Sequence, residues 1–173
     1  MSKVFSKRSI VFKIIITLIA LFAIYNVYWL VFSYIRWKPL CEQVGYNERF
    51  GDYTKIVGEL ETYDRYIYYV ALPRYLTFGG NLSLAQTAVD GSTRPTVDLL
   101  IFPEIGGYRV ETQIIFNKTD EKETTMETGG TITLNEHMEF YGEPTEKEKE
   151  LFEKYKPEIQ HTFDKMREVW NLE

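Results

Sequence analysis

The sequence predicts an α+β protein: an N-terminal transmembrane helix, then an antiparallel β-meander sheet packed on a C-terminal helix kinked near Pro157. Three observations predict it. Residues Ile14 to Ile35 carry no formal charge. Between Tyr66 and Met138, short β-prone runs are separated by Gly pairs, prolines and polar turns. From Thr145 onward, apolar residues recur every three or four positions.

The uncharged run Ile14 to Ile35 contains one strongly polar residue, Asn26. As a helix it spans roughly 33 Å, enough for a hydrocarbon core of about 30 Å. Residues 1–13 carry Lys3, Lys7, Arg8 and Lys13 and no acid, whereas residues 36–50 mix Arg36, Lys38 and Arg49 with Glu42 and Glu48. The positive-inside rule then puts the N-terminus in the cytoplasm and the C-terminal domain outside the cell. Tyr25, Tyr28, Trp29, Tyr34 and Trp37 cluster toward the outer end, where amphipathic rings favour the headgroup boundary. A cleaved signal fits less well, because the run is too long and no small-x-small site follows it. Arg36 to Leu40 also lack the small residues of a lipobox before Cys41, which reads as a lone thiol.

The chain therefore divides into a basic cytoplasmic tail (1–13), an anchor in the lipid bilayer (14–35), a juxtamembrane segment (36–64) and an extracytoplasmic domain (65–173). Within the juxtamembrane segment, Tyr53, Ile56, Val57 and Leu60 have helical spacing, so a short helix is expected between Asp52 and Thr62. The whole chain has a net charge of −5, but residues 39–173 hold 14 Lys and Arg against 25 Asp and Glu, a net of −11. Such a surface repels nucleic acid and anionic headgroups and attracts a basic partner. One cysteine excludes a disulfide framework, so the domain relies on its apolar core.

In the extracytoplasmic domain, Tyr66–Leu72 is a continuous β-prone run, expected to be buried on both faces and ended by Pro73. Tyr75–Phe78 reads as a short strand, Gly79-Gly80 as a turn, Asn81–Val89 as a strand and Asp90-Gly91-Ser92 as a loop. Thr96–Phe102 is the next strand, closed by Pro103. After Gly106-Gly107, Tyr108–Phe116 alternates, with Tyr108, Val110, Thr112, Ile114 and Phe116 on one face and Arg109, Glu111 and Gln113 on the other. Asn117–Lys122 is a polar turn. Glu123–Thr128 and Thr131–Met138 are strands joined by a turn at Gly129-Gly130. Short connections imply an antiparallel meander. Thr145-Glu146-Lys147-Glu148 fits a capping box, and Leu151, Phe152, Tyr155, Ile159, Phe163, Met166 and Trp170 form the apolar stripe that follows. Pro157 should kink that helix or split it.

Enzymatic signatures are sparse. Ser83 and Ser92 are the only serines after residue 39, and neither sits in a Gly-x-Ser-x-Gly elbow. His137 and His161 lack metal-ligand spacing. No Gly-rich phosphate loop is present, and each Gly pair reads as a turn. The many carboxylates leave a glycosidase pair open. The expectation is a binding protein, not an enzyme, with no cofactor, no metal and no small-molecule substrate. If the C-terminal helix covers one sheet face, the other presents Arg109, Glu111 and Gln113 from one strand and Thr131, Thr133, Asn135 and His137 from the next, with Asp98 beside them. An antiparallel sheet tolerates one polar face. A membrane-anchored accessory or sensor subunit for an envelope ligand is the alternative, which a deep apolar pocket would favour.

The stretch Leu72-Pro73-Arg74-Tyr75-Leu76-Thr77-Phe78-Gly79-Gly80-Asn81-Leu82, the segment Leu99-Leu100-Ile101-Phe102-Pro103 and the residues Tyr155, Ile159 and Trp170 resemble the TipC family. These are immunity proteins of streptococci and related Gram-positive bacteria. The resemblance covers most of the chain, through loose motifs that carry no chemistry. It implies an exported antidote to an LXG-type toxin delivered by a type VII secretion system. It also implies a concave sheet face suited to a cognate protein toxin.

Overall fold

The computed structural model describes residues 2–59, 64–87, 94–104, 106–119 and 124–172. Helix α1 runs unbroken from Ser2 to Val44, 43 residues, or roughly 65 Å. It is long and apolar enough to cross a membrane, and its apolar part carries no side chain buried by the rest of the protein. The helix does not stop at the end of the uncharged run. It continues through Pro39, and its last turns bury Trp37, Leu40, Cys41 and Val44 in the core of the domain. Gly45, at φ +84°, ends it, donating its N–H to the Cys41 carbonyl at 2.7 Å.

Six strands follow: β1 (Tyr53–Val57), β2 (Tyr66–Ala71), β3 (Asn81–Gln86), β4 (Thr96–Glu104), β5 (Gly107–Thr119) and β6 (Thr124–Asn135). They form one antiparallel sheet in the order β1-β2-β3-β4-β5-β6, the expected meander. The expected helix between Asp52 and Thr62 is not formed. Tyr53–Val57 is instead the edge strand β1, registered Thr54 to Tyr69 and Ile56 to Ile67. Its five residues are β-branched or aromatic except for Lys55, and pairing to β2 satisfies more backbone than one isolated helical turn could.

Two turn assignments also change. Residues 75–78 are loop, not strand. Gly129 and Gly130 lie inside β6, not between two strands. They face the one irregularity of the β5–β6 ladder, where Ile114 pairs with Gly130 and Ile115 with Thr128. A Cβ on Gly129 would stand 2.0 Å from the Phe116 ring, and one on Gly130 would stand 2.4 Å from Leu151. The Gly pair is there for close packing at a bulge. The Gly106-Gly107 turn is as expected, with Gly106 at φ +87°. The expected Asp90-Gly91-Ser92 loop and residues 120–122 of the expected Asn117–Lys122 turn fall outside the described residues, while Asn117–Thr119 continue β5 instead of turning.

The C-terminal stripe is two helices, α2 (Glu146–Lys154) and α3 (Lys156–Trp170). Tyr155 closes one and opens the other, so the chain is split rather than bent. Pro157 sits in the first turn of α3, where its missing N–H costs nothing. Thr145 and Glu148 form the reciprocal capping box.

The core lies on one face of the sheet. Tyr66, Tyr68, Val70, Leu82, Leu84, Val97, Leu99, Ile101, Val110, Ile114, Ile132 and Leu134 alternate inward, and Phe152, Ile159, Phe163, Met166 and Trp170 cover them. The end of α1 packs into the same cluster. The β2 strand, expected to be buried on both faces, has only one face in the core. Ile67, Tyr69 and Ala71 are half-buried on the other, because all three helices lie on the same side.

Candidate functional site

The outer sheet face is uncovered by any described element. Three register rows cross it. Glu111 on β5 pairs with Leu100 on β4 and Thr133 on β6. Gln113 pairs with Asp98 and Thr131, and Arg109 pairs with Phe102 and Asn135. Seven of the eight residues expected on this face are therefore brought together: Asp98, Arg109, Glu111, Gln113, Thr131, Thr133 and Asn135. Toward β1 the face turns apolar, through Leu100, Tyr69, Ile67 and Ile56. An apolar patch flanked by polar residues is the composition of a protein interface.

His137 is the exception. Strand β6 ends at Asn135, and His137 lies in the turn that follows, exposed and 3.7 Å from Glu136. Asn135 causes the ending. Its Oδ1 accepts from the His137 and Glu139 N–H groups at 2.9 Å each, and its Nδ2 donates to Glu139 at 3.0 Å. This Asx turn outcompetes continued strand pairing. Asn135 thus shapes the edge of the face more than it offers a free amide.

Arg109 is held by its neighbours. It lies 3.1 Å from Glu104 and pairs with Glu111, and its guanidinium stands 4.4 Å above the Phe102 ring. Glu104 also accepts from the Tyr141 hydroxyl at 2.5 Å. The Tyr141 hydrogen bond, then that from Arg109, keeps the Glu104 carboxyl below its ordinary range. The sequence alternation placed Arg109 and Glu111, but Glu104 and Tyr141 carry no periodic signal. Only the β4–β5 turn and the chain after β6 bring them in.

Asp98 has a second duty. Its carboxylate accepts the Gln86 backbone N–H at 2.9 Å, and the Gln86 side-chain oxygen accepts the Val97 N–H at 3.1 Å. These side chains complete the β3–β4 contact beyond its last backbone pair, Leu84 with Leu99. Burial pushes the Asp98 carboxyl up to about 6, against the opposing pull of the Gln86 N–H.

A polar cleft and an apolar groove lie among the described residues. A polar cleft of about 300 Å³ at the β4–β5 turn is lined by Glu104, Tyr108, Glu136 and Tyr141. Glu136 accepts the Tyr108 N–H at 3.0 Å, and its carboxylate fills the space of a side chain at Gly107. Both carboxylates in this cleft thus have partners within the fold. An apolar groove of about 1070 Å³ runs along α1, between Trp29, Leu30, Tyr34, Trp37, Tyr53 and Leu72. Cys41 lies at its floor, and burial followed by the nearby Glu42 pushes its thiol up to about 11, so it is inert at neutral pH.

No family model matches the chain, and neither a curated protein nor a solved structure is detectably similar to it.

Proposed function

We propose that this chain is a membrane-anchored extracytoplasmic immunity protein, one that binds and neutralises a cognate secreted LXG-type toxin. Helix α1 anchors it with the N-terminus in the cytoplasm, and the sheet's outer face takes the partner. The observation that carries the reading is the uncovered face itself. Glu111, Gln113, Thr131 and Thr133 stand in adjacent register rows, with Leu100 and Tyr69 beside them. The TipC resemblance of residues 72–82 and 99–103 agrees with it.

The mechanism is occlusion. A tight complex of standard size buries about 1,200–2,000 Å² in total, within reach of a six-stranded face. The apolar centre supplies the contact area, and the Arg109–Glu111 pair on its flank fixes register. Anchoring holds the antidote at the surface where such a toxin acts and raises its effective concentration there. The acid excess of residues 39–173 steers a basic partner toward it. The test is survival: a Gram-positive strain sensitive to an LXG toxin should resist it when this chain is expressed and succumb when it is not. Unchanged killing by every LXG toxin encoded in the source genome would refute the reading.

A second reading is favoured by one observation, the apolar groove along α1. A sensor or accessory subunit could hold the apolar tail of an envelope ligand there. Enlarging Leu72 to Trp would block the groove without touching the sheet face. Binding of an acyl-chain probe by the parent and its loss in that variant would favour the second reading.

A further inference from the structure

We propose that the loop joining β2 to β3, residues 72–80, is embedded in the outer half of the bilayer beside α1. The proposal rests on α1 being the membrane anchor. It replaces a tethered domain that floats above the membrane with one seated partly in it.

The loop descends along the helix. At its domain end, a Cβ on Gly80 would stand 2.7 Å from the Trp37 ring. Further down, the Thr77 carbonyl accepts from the Trp29 indole at 2.6 Å, and the Leu76 carbonyl accepts from the Tyr25 hydroxyl at 2.9 Å. From Trp37 to Tyr25 the helix advances about 18 Å. The tip is therefore level with residues well inside the uncharged run Ile14 to Ile35.

Between the tip and the domain, α1 displays Leu30, Val31, Tyr34 and Ile35, and the last two are 62% and 68% exposed. A bilayer that reaches high enough to cover Ile35 must also cover the tip of the loop, which is bonded to Tyr25 and Trp29. The first charges above this level are Arg36, which donates to the Glu104 carbonyl at 2.9 Å, and Lys38. They mark the outer limit of the hydrocarbon.

The loop is chemically fitted to that depth. Irregular backbone survives in a bilayer only where protein satisfies it. Here the helix satisfies two of the loop's carbonyls, those of Leu76 and Thr77, through Tyr25 and Trp29. The Arg74 carbonyl accepts from the Thr77 N–H at 2.9 Å and from its hydroxyl at 2.8 Å. Asn26, the one strongly polar residue of the uncharged run, accepts from the Tyr75 hydroxyl and donates to the Phe22 carbonyl at 2.7 Å. Phe78 packs its ring against Tyr25, Tyr28 and Phe32. Leu72, Tyr75 and Phe78 are exposed on its outward surface, beside Arg74, Thr77 and Gly79. Arg74 is the loop's single charge, on a stem long enough to reach the headgroups.

The test uses the full chain in vesicles of phosphatidylcholine and phosphatidylglycerol, with Cys41 replaced by alanine. Nitroxide labels are placed singly at Leu72→Cys, Tyr75→Cys, Leu18→Cys and Thr131→Cys. Collision with oxygen, which concentrates in lipid, is compared with collision with a water-soluble nickel chelate. The Leu72 and Tyr75 labels should show an oxygen-to-nickel ratio at least tenfold above the Thr131 label and close to the Leu18 label. Ratios matching Thr131 at both loop positions, with Leu18 still in lipid, would overturn the embedded loop and leave the anchor standing. A water-accessible Leu18 label would overturn the anchor and the loop together. The Leu72 label makes no polar contact, so it reports even if replacing Tyr75 loosens the loop.

Discussion

The ring of Trp37 occupies the space that a side chain at Gly80 would need, so the end of α1 and the start of β3 lock together. The contact joins the helix to the sheet without a linker. Trp37 is 2% exposed, and a Cβ on Gly80 would also stand 2.6 Å from the Ala71 carbonyl.

The first prediction follows from that contact. Gly80→Ala should destabilise the full chain by about 1–3 kcal/mol, the cost of overpacking against backbone and an indole. Gly79→Ala is the control, since a Cβ there would meet nothing within 4 Å. Denaturation of both variants in the same detergent checks the difference, and equal stabilities would contradict the contact.

The boundary of the domain moves accordingly. A fragment beginning at Arg36 keeps Trp37, Leu40, Cys41 and Val44, all of them core residues. A fragment beginning at Tyr46 loses all four. Burial of each large apolar side chain is worth about 1.5–3 kcal/mol, comparable in sum to the stability of a small domain. The longer fragment should unfold cooperatively, and the shorter should show no cooperative transition by circular dichroism. Two equally stable fragments would place the end of α1 outside the fold.

Trp170 is buried in the same core, with its ring 5.4 Å from Tyr68 in an edge-on contact. Trp170→Ala should cost about 3–5 kcal/mol. Chemical denaturation measures it, and a loss below about 0.5 kcal/mol would place the side chain at the surface.

Asp98 gives the pH dependence. Its carboxyl rises from 3.8 to about 6 on folding, chiefly through burial. The folded protein then binds this proton more tightly than the unfolded chain. The protonated form's contribution is full below pH 4 and is lost as pH rises toward 6. The span is worth about 2–3 kcal/mol. Asp98→Asn keeps an oxygen for the Gln86 N–H and cannot ionise. Denaturant midpoints measured from pH 4 to pH 7 should fall less for this variant than for the parent. Identical pH profiles would contradict the assignment.

Periodicity made much of this fold readable. The alternation of Arg109, Glu111 and Gln113 against Val110, Thr112 and Ile114 is the observed split of β5. The Thr145–Glu148 box and the i+3/i+4 stripe likewise mark real helices. What failed had no periodic signal or a misleading one. Tyr53, Ile56 and Val57 fit a helical spacing over too few residues to decide against a strand. Gly129-Gly130 looks like a turn from sequence, because a bulge opposite Phe116 and Leu151 needs the same residues. Asn135 ended β6 early and took His137 off the face, through a local side-chain bond that alternation cannot reveal. The hydrogen bonds from Tyr25 and Trp29 to the 72–80 loop span about fifty residues of sequence and leave no local trace.

The most direct test of the proposed binding face is a titration. Gln113 lies on the face, in register with Asp98 and Thr131, and outside the Glu104–Arg109–Glu111 network. Gln113→Lys adds a like charge toward a basic partner while leaving those pairs intact. Glu150→Lys, on the exposed side of α2, is the control. The affinity of each variant for the LXG toxin that the parent neutralises is measured by calorimetry. Gln113→Lys should weaken binding more than tenfold, about 1.4 kcal/mol, while Glu150→Lys should bind like the parent. Equal affinity of Gln113→Lys and the parent would remove this face from the interface.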